Sequence, residues 1–497
     1  MNRYKKPTLD KDLDKISYME EAATSLGRGL MAPGAGLLFI VLCAVLAGAY
    51  VLGVPSGGVI VAASAIGAYM ALNIGANDVA NNVGPAVGAK AMSLTTALVI
   101  AAIFESAGAL LAGGDVVDTI SMGIIDPAAV ADSHIFTAAM MAALVSAALW
   151  INMATWFGAP VSTTHAIVGG VMGAGIAASG FSSVNWFMLS GIAMSWVVSP
   201  LVGGVVAAFF LWIIKAFIVY QDDKIAAARR WVPVLIAVMA GMFAAYLAVK
   251  GVSHIVTIEL STALVAGGVV ALLSWMITRP LIARQSRGLE NRNQSLRKLF
   301  AIPLVCSAAL LSFAHGANDV ANAVGPLAAI VHTAEFGDVA ESVAIPLWVM
   351  AVGALGISFG LLLFGPRLIN MVGRQITKLN PMRAYCVALS AATTVIIASG
   401  FGMPVSSTHI TVGAVFGVGF FREWYTARSE RRMDFLNEGA SGKAKRLRPV
   451  RNREEQARRK LVRRAHLMTT LAAWMITVPV AALLSGALFF LTAAIIR

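Results

Sequence analysis

The sequence predicts an all-α integral membrane protein of about 12 transmembrane helices, with discontinuous helices and helical hairpins arranged as two inverted repeats. Three observations lead there. Of the 497 residues, 58% are hydrophobic and only 13% are charged. Apolar runs of roughly 20 residues, the length a helix needs to cross about 30 Å of hydrocarbon, recur along most of the chain. Two short polar motifs each occur twice, in the same order. The apolar runs are continuous rather than alternating, which selects helices over barrel strands.

In chain order, residues 1–30 are a mixed-charge stretch too long and too acidic for a signal n-region, so a retained cytoplasmic tail is expected. Residues 31–57 hold an additional N-terminal transmembrane helix, 58–185 a first repeat, and 186–298 central scaffold helices with a basic cytoplasmic loop. Residues 299–421 form the second repeat, 422–466 a long basic cytoplasmic loop, and 467–497 a C-terminal transmembrane helix. The net charge of +13 is gathered into 224–230, 279–298 and 422–464, between apolar runs. That is the positive-inside pattern, so these loops face the cytoplasm and the charge implies no nucleic-acid partner. The lipid bilayer is the partner, and the location is the cell membrane, or the inner membrane of a Gram-negative cell. Two spans between Arg230 and Arg279 return the chain to the cytoplasm across a short outer turn at 250–254. One span after Arg464 then leaves the C-terminus outside. Cys43, Cys306 and Cys386 lie in apolar runs without metal-ligand spacing and are expected to be buried thiols.

The repeat is visible when the chain is laid on itself. Asn77-Asp78-Val79-Ala80-Asn81 returns as Asn318-Asp319-Val320-Ala321-Asn322, a shift of 241 (318 − 77). The Pro-Val-Ser-Thr-Thr-His segment from Pro160 to His165 returns as Pro-Val-Ser-Ser-Thr-His from Pro404 to His409, a shift of 244 (404 − 160). Such duplication in an apolar chain points to a transporter with its substrate near mid-membrane between the two units. Gly75 with Gly84-Pro85, and Gly316 with Gly325-Pro326, are expected to interrupt the helices around each Asn-Asp motif. Freed carbonyls, the Asn77, Asn81, Asn318 and Asn322 side chains and the Asp78 and Asp319 carboxylates then make a hard-oxygen site suited to Na⁺. An ionised, unpaired carboxylate at that depth costs at least a few kcal/mol, so Asp78 and Asp319 hold a cation or carry a proton.

The second motif has a different logic. Pro160 and Pro404 suit the first turn of a helix, and Ser162, Thr163, Thr164, Ser406, Ser407 and Thr408 place hydroxyls beside unsatisfied backbone N–H groups. Two such helix ends can surround a tetrahedral oxyanion with neutral donors. His165 and His409 follow directly and can relay protons or hydrogen-bond the hydroxyls. Glu105 is the acid of its apolar run; the shifts of 241 to 244 set it against residues 346–349, where no acid stands, so an asymmetric ion ligand or proton carrier is expected. Enzyme chemistry is not indicated. Residues 84–91 lack the spacing and the Ser/Thr of a phosphate loop, and no His/Cys metal cluster or Gly-x-Ser-x-Gly elbow is present. Transport is then secondary and driven by an ion gradient, with no cofactor beyond the coupling ion.

These motifs resemble the inorganic phosphate transporters of the phosphate permease type, the PiT family. The resemblance rests on residues 75–84 and 86–90, on 316–325, and on the paired Pro-Val-Ser-(Ser/Thr)-Thr-His segments. It implies symport of phosphate with Na⁺ or H⁺ through a rocking or elevator-like inverted-repeat transporter, with a homodimer as a possible assembly. By motif, Asp78, Asp319, Asn81 and Asn322 would organise coupling ions, and Asn77 and Asn318 would contribute to the phosphate site with the Ser/Thr helix ends. Sulfate or another tetrahedral oxyanion is the alternative substrate. The helix at 31–57 ahead of the first signature departs from the simplest family members and puts no signature residue in doubt.

Overall fold

A computed structural model describes residues 30–53, 56–126, 129–130, 132–159, 161–251, 258–339, 343–375, 379–428 and 464–496. The tail at 1–29 and most of the basic loop at 422–466 lie outside them. Among the described residues the molecule is helical, without a named strand, and eleven helices are long and apolar enough to span a membrane. α1 is Leu30–Tyr50. The first half continues with α2 (Gly57–Asn82), α3 (Gly84–Gly88), α4 (Leu94–Ala112), α5 (Gly114–Met122), α6 (Ser133–Phe157), α7 (Thr163–Ser179) and α8 (Trp186–Ile214). α9 (Lys224–Tyr246), α10 (Leu260–Gln285) and the short α11 (Asn293–Leu299) come next. The second half comprises α12 (Ala301–Asp319), α13 (Ala321–Phe336), α14 (Leu347–Gln375), α15 (Pro381–Gly400), α16 (Ser407–Arg428) and α17 (Arg464–Ile496).

In hydrocarbon, apolar side chains gain little by leaving lipid for protein, so small residues that let backbones approach closely decide which helices pack. Here they do so in matched pairs. A Cβ on Gly75 of α2 would fall on the Ile357 carbonyl of α14, and one on Gly316 of α12 on the Glu105 carbonyl of α4. Gly108 meets the Phe313 carbonyl as Gly360 meets that of Leu72. Gly169 and Gly173 of α7 are closed by Val478 and Ala482 of α17, while Gly413 and Gly417 of α16 are closed by Pro200 and Gly204 of α8. Hydrogen bonds repeat in the same register: Ser146 Oγ donates to the Ala481 carbonyl at 2.8 Å, and Ser390 Oγ to that of Gly203 at 2.6 Å. Where α4 crosses α14 the contact is reciprocal. Ser106 and Ser358 share a 2.6 Å hydrogen bond while bonding the Ala354 and Ala102 carbonyls respectively.

Three expectations change. The glycines at 75 and 316 do not break helices; α2 runs on to Asn82 and α12 to Asp319. Their job is close approach, because a missing Cβ lets another backbone in. The breaks come at Val83, before Gly84-Pro85, and at Val320, while Gly325-Pro326 sits inside α13. Pro404 lies ahead of α16 rather than in its first turn, and Pro160 is outside the described residues. The packing register also sets Glu105 against Ile357, a shift of 252 (357 − 105), instead of 346–349, because the connections ahead of α4 and α14 differ in length. No acid stands at either place. Gly316→Ala is accordingly expected to push α4 from α12 and lower the melting temperature in detergent by several degrees, whereas Gly268→Ala, which meets nothing within 4 Å, leaves it unchanged.

Candidate functional site

The two Asn-Asp motifs end α2 and α12, and the two Ser/Thr motifs begin α7 and α16; the fold brings all four together in its buried centre. Ser162 caps α7 by accepting from the His165 backbone N–H at 3.2 Å, and Ser406 caps α16 through that of His409 at 3.3 Å. The following hydroxyls reach the carboxylates. Thr163 Oγ1 donates to Asp78 Oδ2 at 2.9 Å and Ser407 Oγ to Asp319 Oδ2 at 3.0 Å, each within its own half. One residue on, the bonds cross between halves: Thr164 Oγ1 donates to Asp319 Oδ1 at 3.4 Å and Thr408 Oγ1 to Asp78 Oδ1 at 3.2 Å. Asn81 Nδ2 donates to Thr408 Oγ1 at 2.8 Å, and Asn322 Nδ2 to Thr163 and Thr164 Oγ1, each at 3.3 Å.

Asn77 and Asn318 serve the turns ahead of those helices. Asn77 Nδ2 donates to Thr155 Oγ1 at 2.8 Å and the Ala159 carbonyl at 3.4 Å; Asn318 Nδ2 donates to Ser399 Oγ at 2.9 Å and the Met403 carbonyl at 3.1 Å. Asn318 Oδ1 also accepts from the Val405 N–H at 3.2 Å. The two histidines take part in an aromatic stack. His165 packs on Trp196 and His409 on Trp474, with ring centroids 3.8 and 3.5 Å apart, and the imidazoles meet edge-on at 4.3 Å.

One part of the site has no match in the other half. His315 of α12 sits between the two aspartates, its Nε2 2.8 Å from Asp319 Oδ2 and 3.6 Å from Asp78 Oδ2. Its Nδ1 faces Glu105 Oε2 at 3.3 Å, and Glu105 Oε1 accepts from Asn82 Nδ2 at 2.7 Å. At the matching positions of the other half stand Ile74, Ile357 and Ala323. Sequence reasoning found Glu105 but missed His315 and Asn82. The signal was the difference between otherwise equal motifs, Ile-Gly-Ala-Asn-Asp against His-Gly-Ala-Asn-Asp. Asp78, His315 and Asp319 offer ligand atoms within 4.8 Å of one another, all from buried residues. Buried carboxylates persist only with such partners, and the two carboxylates, with hydroxyl and amide oxygens around them, suit a hard cation.

Residues 74–485 match the model of the phosphate transporter family. The chain belongs to the phosphate transporter family. Among its relatives is a protein described as a "putative phosphate permease" of Helicobacter pylori, 44% identical over an alignment of 524 positions that takes in 96% of this chain and 98% of the relative. A protein of Pyrococcus abyssi with the same description is 40% identical over 361 positions, covering 72% of this chain and 87% of its own. In structure, the chain is similar to one titled "The sodium-dependent phosphate transporter", with a TM-score of 0.75 and 31% identity over 87% of this chain and 98% of that one. Phosphate transport in a multi-pass membrane protein is thus the family frame in which these residues act.

Proposed function

We propose that this protein is a Na⁺-coupled phosphate symporter that alternates access between two inverted repeats, with Asp78 and Asp319 as the carboxylates of the coupling-ion site. The observation that carries this reading is the crossed pattern in which the α7 and α16 hydroxyls donate to both aspartates. A hydroxyl has one proton to give and two lone pairs. While the carboxylates are bare, those protons are spent on them, that of Thr164 being shared with the Val405 carbonyl at 3.1 Å. Sodium held by the carboxylates neutralises their charge and draws the hydroxyl lone pairs toward itself. The protons then turn to a phosphate oxygen, beside the free N–H groups at the starts of α7 and α16. Each ion makes the other's binding possible, and in a buried site neither charge enters alone at low cost. The paired contacts support extending the first repeat through α8, the counterpart of α17.

In proteoliposomes, labelled phosphate uptake is expected to follow an inward Na⁺ gradient at equal pH. Uptake driven by a pH gradient without Na⁺ would make the proton the coupling ion, and uptake of sulfate alone would overturn the substrate. Thr164→Val and Thr408→Val, which remove the crossing bonds, are expected to raise the half-saturating Na⁺ and phosphate together, by roughly tenfold each, since linked ligands lose affinity reciprocally. A change in phosphate affinity with none in Na⁺ would count against the shared hydroxyls.

A further inference from the structure

The α15–α16 turn carries much of the second half of the site, and it is gripped from outside the site. Its Met403 carbonyl accepts from Asn318, its Val405 N–H donates to Asn318, and its Val405 carbonyl accepts from Thr164 Oγ1 at 3.1 Å. At the start of this turn, Thr119 Oγ1 of α5 donates to the Gly402 carbonyl at 2.7 Å. Gly402 has φ +67°, and a Cβ there would come within 3.1 Å of the Asp115 carbonyl, so α5 lies directly on it. Asp115, in the first turn of α5, is in turn held by Lys250, whose Nζ is 2.5 Å from Asp115 Oδ2. Lys250 stands in the π-helical turn Leu247–Gly251 that ends α9, between the two matched halves and away from the basic loops. In the packing register, Asp115 corresponds to Arg367, so the other half carries the opposite charge at this place.

Resting on the phosphate-symport reading, we propose that Asp115 and Lys250 are positioning residues for transport. Their ion pair locks α5 onto the α15–α16 turn, holding Asn318 and Thr164 in register on one face of the site, and turnover requires it to part. Both side chains are partly exposed, at 28% for Lys250 and 45% for Asp115, so the pair is not locked into the buried core and can part. Repeat symmetry supplies the rest of the argument. A contact that biases one of two similar arrangements is one with no equal in the other, and this pair joins an element outside the matched halves to α5, where the other half carries Arg367 in place of Asp115.

The test is a pair of cysteines, Asp115→Cys with Lys250→Cys, bridged by a short bis-methanethiosulfonate reagent in the full-length protein. Bridged protein in proteoliposomes is expected to bind labelled phosphate in the presence of Na⁺ yet lose uptake by at least about tenfold, with recovery on reduction. Each single cysteine treated alike controls for reaction elsewhere. Uptake by the bridged protein at the unbridged rate would overturn the proposal. Independently of bridging, Lys250→Ala is expected to raise KM for phosphate roughly threefold to fivefold, and the exchange Asp115→Lys with Lys250→Asp to restore it. An unchanged KM in Lys250→Ala would also overturn it. Absence of uptake in the unaltered protein would strike the symport reading instead and is seen separately.

Discussion

Asp319→Asn is expected to lower Na⁺-driven phosphate uptake by at least about a hundredfold without unfolding the protein, because it removes charge while keeping shape and one of the two acceptor oxygens. Thr164 and Ser407 donate to different oxygens of Asp319, so with an amide in its place one hydroxyl keeps an oxygen and the other turns to accept from the amide NH2, and the α7 and α16 helix ends stay bonded. What disappears is the negative charge that attracts the cation and pairs with His315 at 2.8 Å. Asp78→Asn leaves the shorter His315 contact intact, since His315 lies 3.6 Å from Asp78, so its loss is expected to be somewhat smaller. Uptake against Na⁺ concentration in proteoliposomes, with melting temperature measured on the same preparations, checks both. Either variant retaining normal uptake with an unchanged half-saturating Na⁺ would remove that carboxylate from the coupling-ion site.

Much of this centre was legible in the sequence because it is written twice. A single Asn-Asp pair in an apolar run could cap a helix, but two copies matched to two Ser/Thr copies at nearly one shift can come together only around a common site. The apolar runs disclosed the helical class for an equally general reason, the need to satisfy every backbone group in hydrocarbon. The details that escaped depend on packing. Gly75 and Gly316 look like helix breakers in one dimension and act as close-contact points in three, which appears only when the facing Ile357 and Glu105 carbonyls are known. Pairing of α8 with α17 was hidden because their shift, 278 (478 − 200), differs from that of the motifs after the long loop preceding α17. His315 escaped because attention to what repeats passes over what does not.

That unmatched residue gives the second large effect. His315→Ile puts at the second site the residue that the first half already carries as Ile74, yet it leaves Glu105 buried with Asn82 as its remaining partner. Leaving a buried carboxylate without its facing partner costs about 3–5 kcal/mol, so this variant is expected to unfold early or fail to accumulate. Glu105→Ile is similarly harmful, since it strips both the His315 and Asn82 contacts. The double variant, Glu105→Ile with His315→Ile, gives each half the same apolar pair and leaves no carboxylate stranded at position 105. It is expected to be more stable than either single variant, with a coupling of at least about 2 kcal/mol in a double-mutant cycle. Uptake does not recover with it: the two aspartates would face each other without the imidazole between them, and phosphate transport is expected to stay at least about tenfold down. Strict additivity of the two losses in melting experiments would mean that Glu105 and His315 stabilise the fold separately. Full transport by the double variant would mean that the asymmetry serves stability alone. Stability restored with transport still lost would instead identify the Glu105–His315 chain as the feature that makes two nearly equal halves into one directional site.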